Sequence, residues 1–118
     1  MPSIFILDDT VDILFTLDCW FTQNGYEVYT FTSSNDLIKV MNTLTPDFIL
    51  LDVRLSEVKD GRTVCLELRQ QHQYTNKIYL FSVCSVMNSD VLHFGADGFI
   101  KKPFDLHYML NTVNYELS

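Results

Sequence analysis

The chain has 118 residues, a formal net charge of −7 at pH 7, and 47% hydrophobic and 19% charged residues. That length matches one domain, 1–118, able to bury a core without disulfides or structural metal, and that composition excludes an intrinsically disordered chain. The acidic balance, with Lys101-Lys102 as the only adjacent basic pair, tells against a direct nucleic-acid surface, which needs clustered Lys and Arg for phosphate.

Ser3 to Leu7 is a short apolar run ending in the acids Asp8 and Asp9. From Val11 the period turns helical, with Val11, Leu14, Leu17 and Phe21 on one face, and Asn24-Gly25 closes the helix. Glu27 to Thr32 is rich in β-formers and reads as an edge-side strand. Ser33 or Ser34 is expected to cap a helix carrying Leu37, Val40, Met41 and Leu44 at i, i+3, i+4 and i+7.

Pro46-Asp47 then introduces Phe48-Ile49-Leu50-Leu51, a run too short for a helical pattern and apolar throughout, as in a strand buried on both faces, and it ends in Asp52. A loop through Ser56, Glu57 and Lys59 leads to Asp60-Gly61 and a helix with Val64, Cys65 and Leu68 inward. Ile78 to Phe81 is a further strand, ending in Ser82. A short helix is expected within Val86 to Phe94, and Gly95-Ala96-Asp97-Gly98 returns the chain to a last strand, Phe99 to Lys101, broken by Lys102-Pro103. Asp105 is placed to cap a final helix with an apolar stripe of Leu106, Met109, Leu110, Val113 and Leu117.

Strand and helix alternate five times, which predicts an α/β fold: a doubly wound, five-stranded parallel sheet with helices on both faces. All strand carboxyl ends then share one edge, the place where open α/β sheets form their ligand crevice. That edge collects Asp8, Asp9, Asp52, Ser82 and Lys102 from four separate strands. Converging carboxylates repel one another unless a counter-charge is present, and a hard divalent cation such as Mg²⁺ supplies one while keeping positions open for phosphoryl oxygens. Asp52 can then act as a nucleophile on phosphorus, with Lys102 and Ser82 on the phosphoryl oxygens.

Cys19, Cys65 and Cys84 lack C-x-x-C or Cys/His ligand spacing, so neither a disulfide framework nor zinc is expected. The histidines His72, His93 and His107 read as surface residues. Ile4 to Leu7 is far shorter than a secretory core or membrane span, and a soluble, cytoplasmic protein without membrane contact is the expectation.

The ordered set Asp8-Asp9, Asp52, Ser82 and Lys102-Pro103-Phe104, with Gly25-Tyr26-Glu27-Val28 and Gly95-Ala96-Asp97-Gly98-Phe99 between, resembles the receiver domain of two-component response regulators. The resemblance runs from Ile4 to Leu117. It implies the flavodoxin-like strand order 2-1-3-4-5 that chemotaxis regulators exemplify. It implies that Asp52 accepts a phosphoryl group from phosphohistidine on a sensor histidine kinase or histidine phosphotransfer protein. Asp9, Asp52 and the carbonyl of Arg54 would hold Mg²⁺, with Asp8 acting mainly through a metal-bound water. Ser82 and Phe99 match a switch pair that alters the surface of the fourth helix, fifth strand and fifth helix for a downstream effector protein or a fused output domain. Residues flanking the buried stripe of the first helix, among Ile13, Phe15 and Trp20, would face a helical phosphodonor. A phosphorylation-dependent homodimer through the last helices is admitted, although His107, Tyr108, Asn111 and Asn114 make no pronounced apolar interface.

The chain departs from the family pattern at Leu55-Ser56, where Met-Pro is common, at Val83, where a small residue is usual, and in a segment between Ser82 and Lys102 about two residues short. An alternative is therefore a receiver that works by protein contacts without phosphorylation. A haloacid-dehalogenase-type phosphatase is disfavoured because Thr10 stands where a second acid is needed, and an FMN binder because no Gly-rich phosphate loop follows the first strand. Either receiver reading makes the protein a phosphoacceptor or interaction module rather than an enzyme acting on a separate metabolite.

Overall fold

The structure, a computed structural model, describes residues 1–55, 59–82 and 93–118. The order is β1 (Ser3–Leu7), α1 (Val11–Gln23), β2 (Glu27–Phe31), α2 (Ser34–Met41), β3 (Phe48–Asp52), α3 (Gly61–Gln70), β4 (Lys77–Ser82), β5 (Gly98–Lys101) and α4 (Leu106–Leu117). The strands form one sheet in the order β2-β1-β3-β4-β5, with every pairing parallel. Ser56, Glu57, Val83, Cys84 and nearly all of the helix expected within Val86 to Phe94 lie outside the described residues, so the helix labelled α4 is the final one.

The continuous apolar runs explain the central position of β1 and β3, in which every residue is buried. Strand alternation sends their side chains to two cores. Phe5, Leu7, Ile49, Leu51, Ile78 and Leu80 pack with Leu37 of α2 and Val64, Cys65 and Leu68 of α3. Ile4, Ile6, Phe48, Leu50 and Phe81 pack on the other face with Leu14, Leu17 and Phe21 of α1 and Met109 and Val113 of α4. The β2 strand is at the sheet edge, as its polar alternation predicts.

Local signals hold in most places. Gly25 takes a positive φ of 90° after α1, and the carboxylates of Asp60 and Asp105 accept backbone N–H bonds in the first turns of α3 and α4. Two expectations need correction. Val11 is not on the buried stripe of α1 but 67% exposed, because it occupies the first helical position, beyond the reach of the sheet. The cap position of α2 is Ser33, yet its hydroxyl bonds no first-turn N–H; α2 also stops at Met41, leaving Leu44 in the following turn.

Arg69 joins α3 to the approach to β5. Its guanidinium donates to the carbonyls of Gly95 (2.8 Å), Tyr74 (2.8 Å) and Asn76 (2.7 Å) and to the Asp97 carboxylate (2.9 Å). The same Asp97 oxygen accepts from Ile78 N at 2.9 Å, and Asp97 N donates to Ile78 O at 2.7 Å, which aligns the start of β5 with β4. A planar fork with several donors suits this position, and an ammonium cannot replace it. Arg69→Met is expected to lower unfolding free energy in urea by about 2–4 kcal/mol, with Arg69→Lys recovering only part of the loss.

Candidate functional site

The parallel register places the carboxyl ends of β1, β3, β4 and β5 side by side, and the expected polar residues meet there. Leu7 pairs with Leu51, Asp52 with Phe81, and Ser82 with Lys101. Asp8, Asp52 and Ser82 are buried, at 0%, 4% and 1% exposure, whereas Asp9 is exposed. Carboxylate oxygens of Asp8, Asp9 and Asp52 all lie within 4.8 Å of one another.

Lys102 supplies the cation of this cluster. Its Nζ is 2.9 Å from Asp8 Oδ2 and 3.4 Å from Asp52 Oδ1, and it stands 4.4 Å from the centre of the Phe81 ring. Lys102 N also donates to Ser82 O at 2.7 Å, so the β5 exit is tied to the β4 end. The aromatic face shields the ammonium from water while attracting it, a contribution of about 1 kcal/mol. Asp8 is fixed from its other side: Oδ1 accepts from Thr10 N at 2.7 Å, and Asp8 N donates to Phe31 O at 3.1 Å.

Asp52 is held less tightly, by Arg54 N at 3.3 Å in addition to Lys102. Burial, followed by the charge of Asp8, pushes its carboxyl up to about 6, against the opposing pull of Lys102 and the Arg54 N–H. Three carboxylates and one ammonium sum to a charge of −2 over these four groups when all are ionised. An all-oxygen donor set of that charge fits a hard divalent cation that keeps some of its waters. Arg54 itself is exposed. Phe99 is half-buried and packs with the core between the sheet and α2–α3, two residues before the Lys101 that pairs with Ser82.

Two site residues were not legible as such in the sequence. Phe81 read only as a strand residue, although it is the seat of Lys102. Gly61 read as a loop glycine, yet a Cβ there would lie 2.0 Å from the Asp52 carbonyl oxygen and 2.7 Å from its carbonyl carbon. The start of α3 is therefore flush against the backbone of Asp52, with Gly61 N donating to Val53 O at 2.8 Å. The Asp60-Gly61 pair, a cap followed by the smallest residue, was the available signal.

Residues 4–114 match the response regulator receiver domain family. The chain is similar to the Vibrio cholerae chemotaxis protein CheY4 (24% identity, TM-score 0.91, 99% of each chain covered). It is also similar to a two-component response regulator from Clostridium difficile (22%, TM-score 0.89, 99% of this chain and 96% of that one). A third structure, the BeF3-activated DrrB receiver domain, aligns at 25% identity and TM-score 0.84 over 99% of this chain and 97% of that one. The chain belongs to the receiver domain family of two-component response regulators. Such domains are signalling modules, and among the described residues no helix is long and apolar enough to cross a membrane.

Two outcomes follow from the geometry. The Asp52 carboxyl stands above its ordinary value of 3.8 in the folded protein, so its ionisation lowers stability progressively as the pH rises from about 4 to about 6, in full above about 6 and not at all below about 4. In EDTA, Asp52→Asn should therefore leave urea stability unchanged near pH 4 and raise it near pH 7.5, on the order of 1–2 kcal/mol after allowance for solvent screening. Gly61→Ala should lower the thermal midpoint at every pH, with a loss of about 2 kcal/mol or more, because its new methyl meets backbone rather than a movable side chain.

Proposed function

We propose that Asp52 is the phosphoacceptor of a cytoplasmic phosphorelay and receives its phosphoryl group from phosphohistidine on a sensor histidine kinase or a histidine phosphotransfer protein. The observation that carries this reading is the meeting of three carboxylates within 4.8 Å with the Lys102 ammonium between Asp8 and Asp52. An Asp52 oxygen attacks phosphorus; the new O–P bond forms as the N–P bond to imidazole breaks, and the imidazole keeps the bonding electrons. A Mg²⁺ ion held by Asp8, Asp9, Asp52 and the Arg54 carbonyl would neutralise and orient phosphoryl oxygens.

Lys102, 3.4 Å from the acceptor, would with the Ser82 hydroxyl hold the oxygens of the transferred group. Once Asp52 carries that group, its extra negative charge competes with Asp8 for Lys102. Ser82 and Phe99 would act as the switch pair at the end of β4 and within β5. A downstream effector protein or a fused output domain would read the change on the β5 and final-helix side, directly or through a phosphorylation-dependent homodimer, without direct contact to nucleic acid or membrane.

Incubation with acetyl phosphate and Mg²⁺ tests the reading by intact mass. A gain of one phosphoryl group is expected, lost in EDTA and in Asp52→Asn, with initial rates lowered at least about tenfold in Lys102→Ala. No mass gain in the unaltered protein, together with no Mg²⁺ affinity, would instead favour the phosphorylation-independent receiver.

A further inference from the structure

The ring beneath Lys102 is fixed more firmly than the lysine it carries. Phe81 is fully buried, its carbonyl accepts from Val53 N at 3.0 Å, and in the strand ladder it lies between Asp52 of β3 and Ile100 of β5. Its ring meets that of Phe104 at 6.2 Å between centres and belongs to the core under α1 and α4. Lys102 reaches it from just beyond β5, with Nζ 4.4 Å from the ring centre and the side chain 11% exposed. An ammonium taken this far out of water needs compensation wherever it no longer faces solvent. Asp8 and Asp52 supply it on one side, and the negative face of the ring supplies it on another.

We infer that Phe81 is a positioning residue: its π face holds the Lys102 ammonium within reach of Asp52 and so sets the rate at which Asp52 takes up a phosphoryl group. The rate effect rests on the phosphoacceptor role proposed above, whereas the seat itself does not. A hydrogen-bonding anchor weakens steeply as its donor turns away, but attraction to a ring face is spread over the ring and survives small displacements. The ring is also neutral. It neither competes with phosphoryl oxygens for Lys102 nor adds negative charge to the cluster, so the ammonium can shift from Asp8 towards a group on Asp52 without leaving its seat. A leucine at this position would fill most of the same space and leave the ammonium desolvated over hydrocarbon, which drives it towards water and away from Asp52.

The test alters the ring's charge distribution without altering its shape. In the full chain, 4-fluoro-, 3,5-difluoro- and 3,4,5-trifluorophenylalanine in place of Phe81 keep the packing and remove the negative face stepwise. The initial rate of mass gain from acetyl phosphate and Mg²⁺ should fall in that order, at least about fivefold with three fluorines, while the urea midpoint holds. Phe81→Leu should be slowed at least as much. A second readout needs no phosphoryl donor and no Mg²⁺: in ¹³C-lysine-labelled protein at one pH, the ε-methylene protons of Lys102, assigned as the signal lost in Lys102→Arg, should lie upfield of the other lysines in the shielding cone of the ring and rejoin them in Phe81→Leu. Equal rates across the fluorinated series, or a Lys102 signal that the ring does not displace in the unaltered protein, would each overturn the inference. No mass gain in the unaltered protein would overturn the phosphoacceptor reading and the rate effect with it, and the ε-methylene signal tells that outcome apart from loss of the seat.

Discussion

The placement of one ammonium among carboxylates at the carboxyl edge of a parallel sheet governs this molecule. Lys102 is 2.9 Å from a fully buried Asp8 and 3.4 Å from a nearly buried Asp52. Buried ion pairs are weak contributors to stability, because desolvation of each ion offsets most of the attraction. Here the imbalance goes further, since one ammonium stands among three carboxylates and the Asp52 carboxyl is pushed up to about 6. Such an arrangement sacrifices folding energy at one edge, and the hydrophobic cores on both sheet faces must supply the compensation. A site of this kind is poised for charge from outside: a cation would relieve it, and an anion on Asp52 would redraw the pairing of Lys102.

The scaffold makes that poise specific. Asp8 is fixed by Thr10 N and by the pairing of its own N–H with Phe31, so it cannot readily turn away from Lys102. Among the described residues Asp52 is held by Arg54 N and the longer Lys102 contact, which leaves its carboxylate the more available of the two buried acids. Gly61 keeps α3 against the Asp52 backbone, and Phe81, opposite Asp52 in the ladder, supplies the surface on which the lysine lies. Strand alternation accounts for the last point: Asp52, Phe81 and Lys102 fall on the same side of the sheet as α1 and α4.

Much of this was legible from residue order, for identifiable reasons. The inner strands are short, wholly apolar and bounded by acids or breakers, so their ends were unambiguous, and strand ends are where the chemistry lies. Helix faces were less legible. Val11 obeys the 3.6-residue period yet is exposed, since periodicity fixes a direction around the axis and not whether anything packs against that turn. Ser33 stands at a helix start without using its hydroxyl there. The roles of Gly61, Phe81 and Arg69 were not legible because they arise between separate segments: a carbonyl nine residues earlier, an ammonium just after β5, and a carboxylate just before it.

The short edge strand β5 shows how these long-range contacts combine. It has four residues, and its pairing with β4 runs only from Tyr79–Gly98 to Ser82–Lys101. So brief a ladder specifies its register weakly unless both ends are anchored. At the entry, Arg69 and Ile78 N hold Asp97; at the exit, Lys102 N meets Ser82 O and its ammonium meets Asp8 and Asp52. In the middle, the Tyr79 ring lies so close over Gly98 that a Cβ would come within 2.4 Å of it, which fixes the lateral fit. The entry anchor is structural and independent of the site, whereas the exit anchor shares its lysine with the carboxylates. A change of charge at Asp52 would therefore bear on the lysine that follows β5, while the entry anchor shares no group with the site.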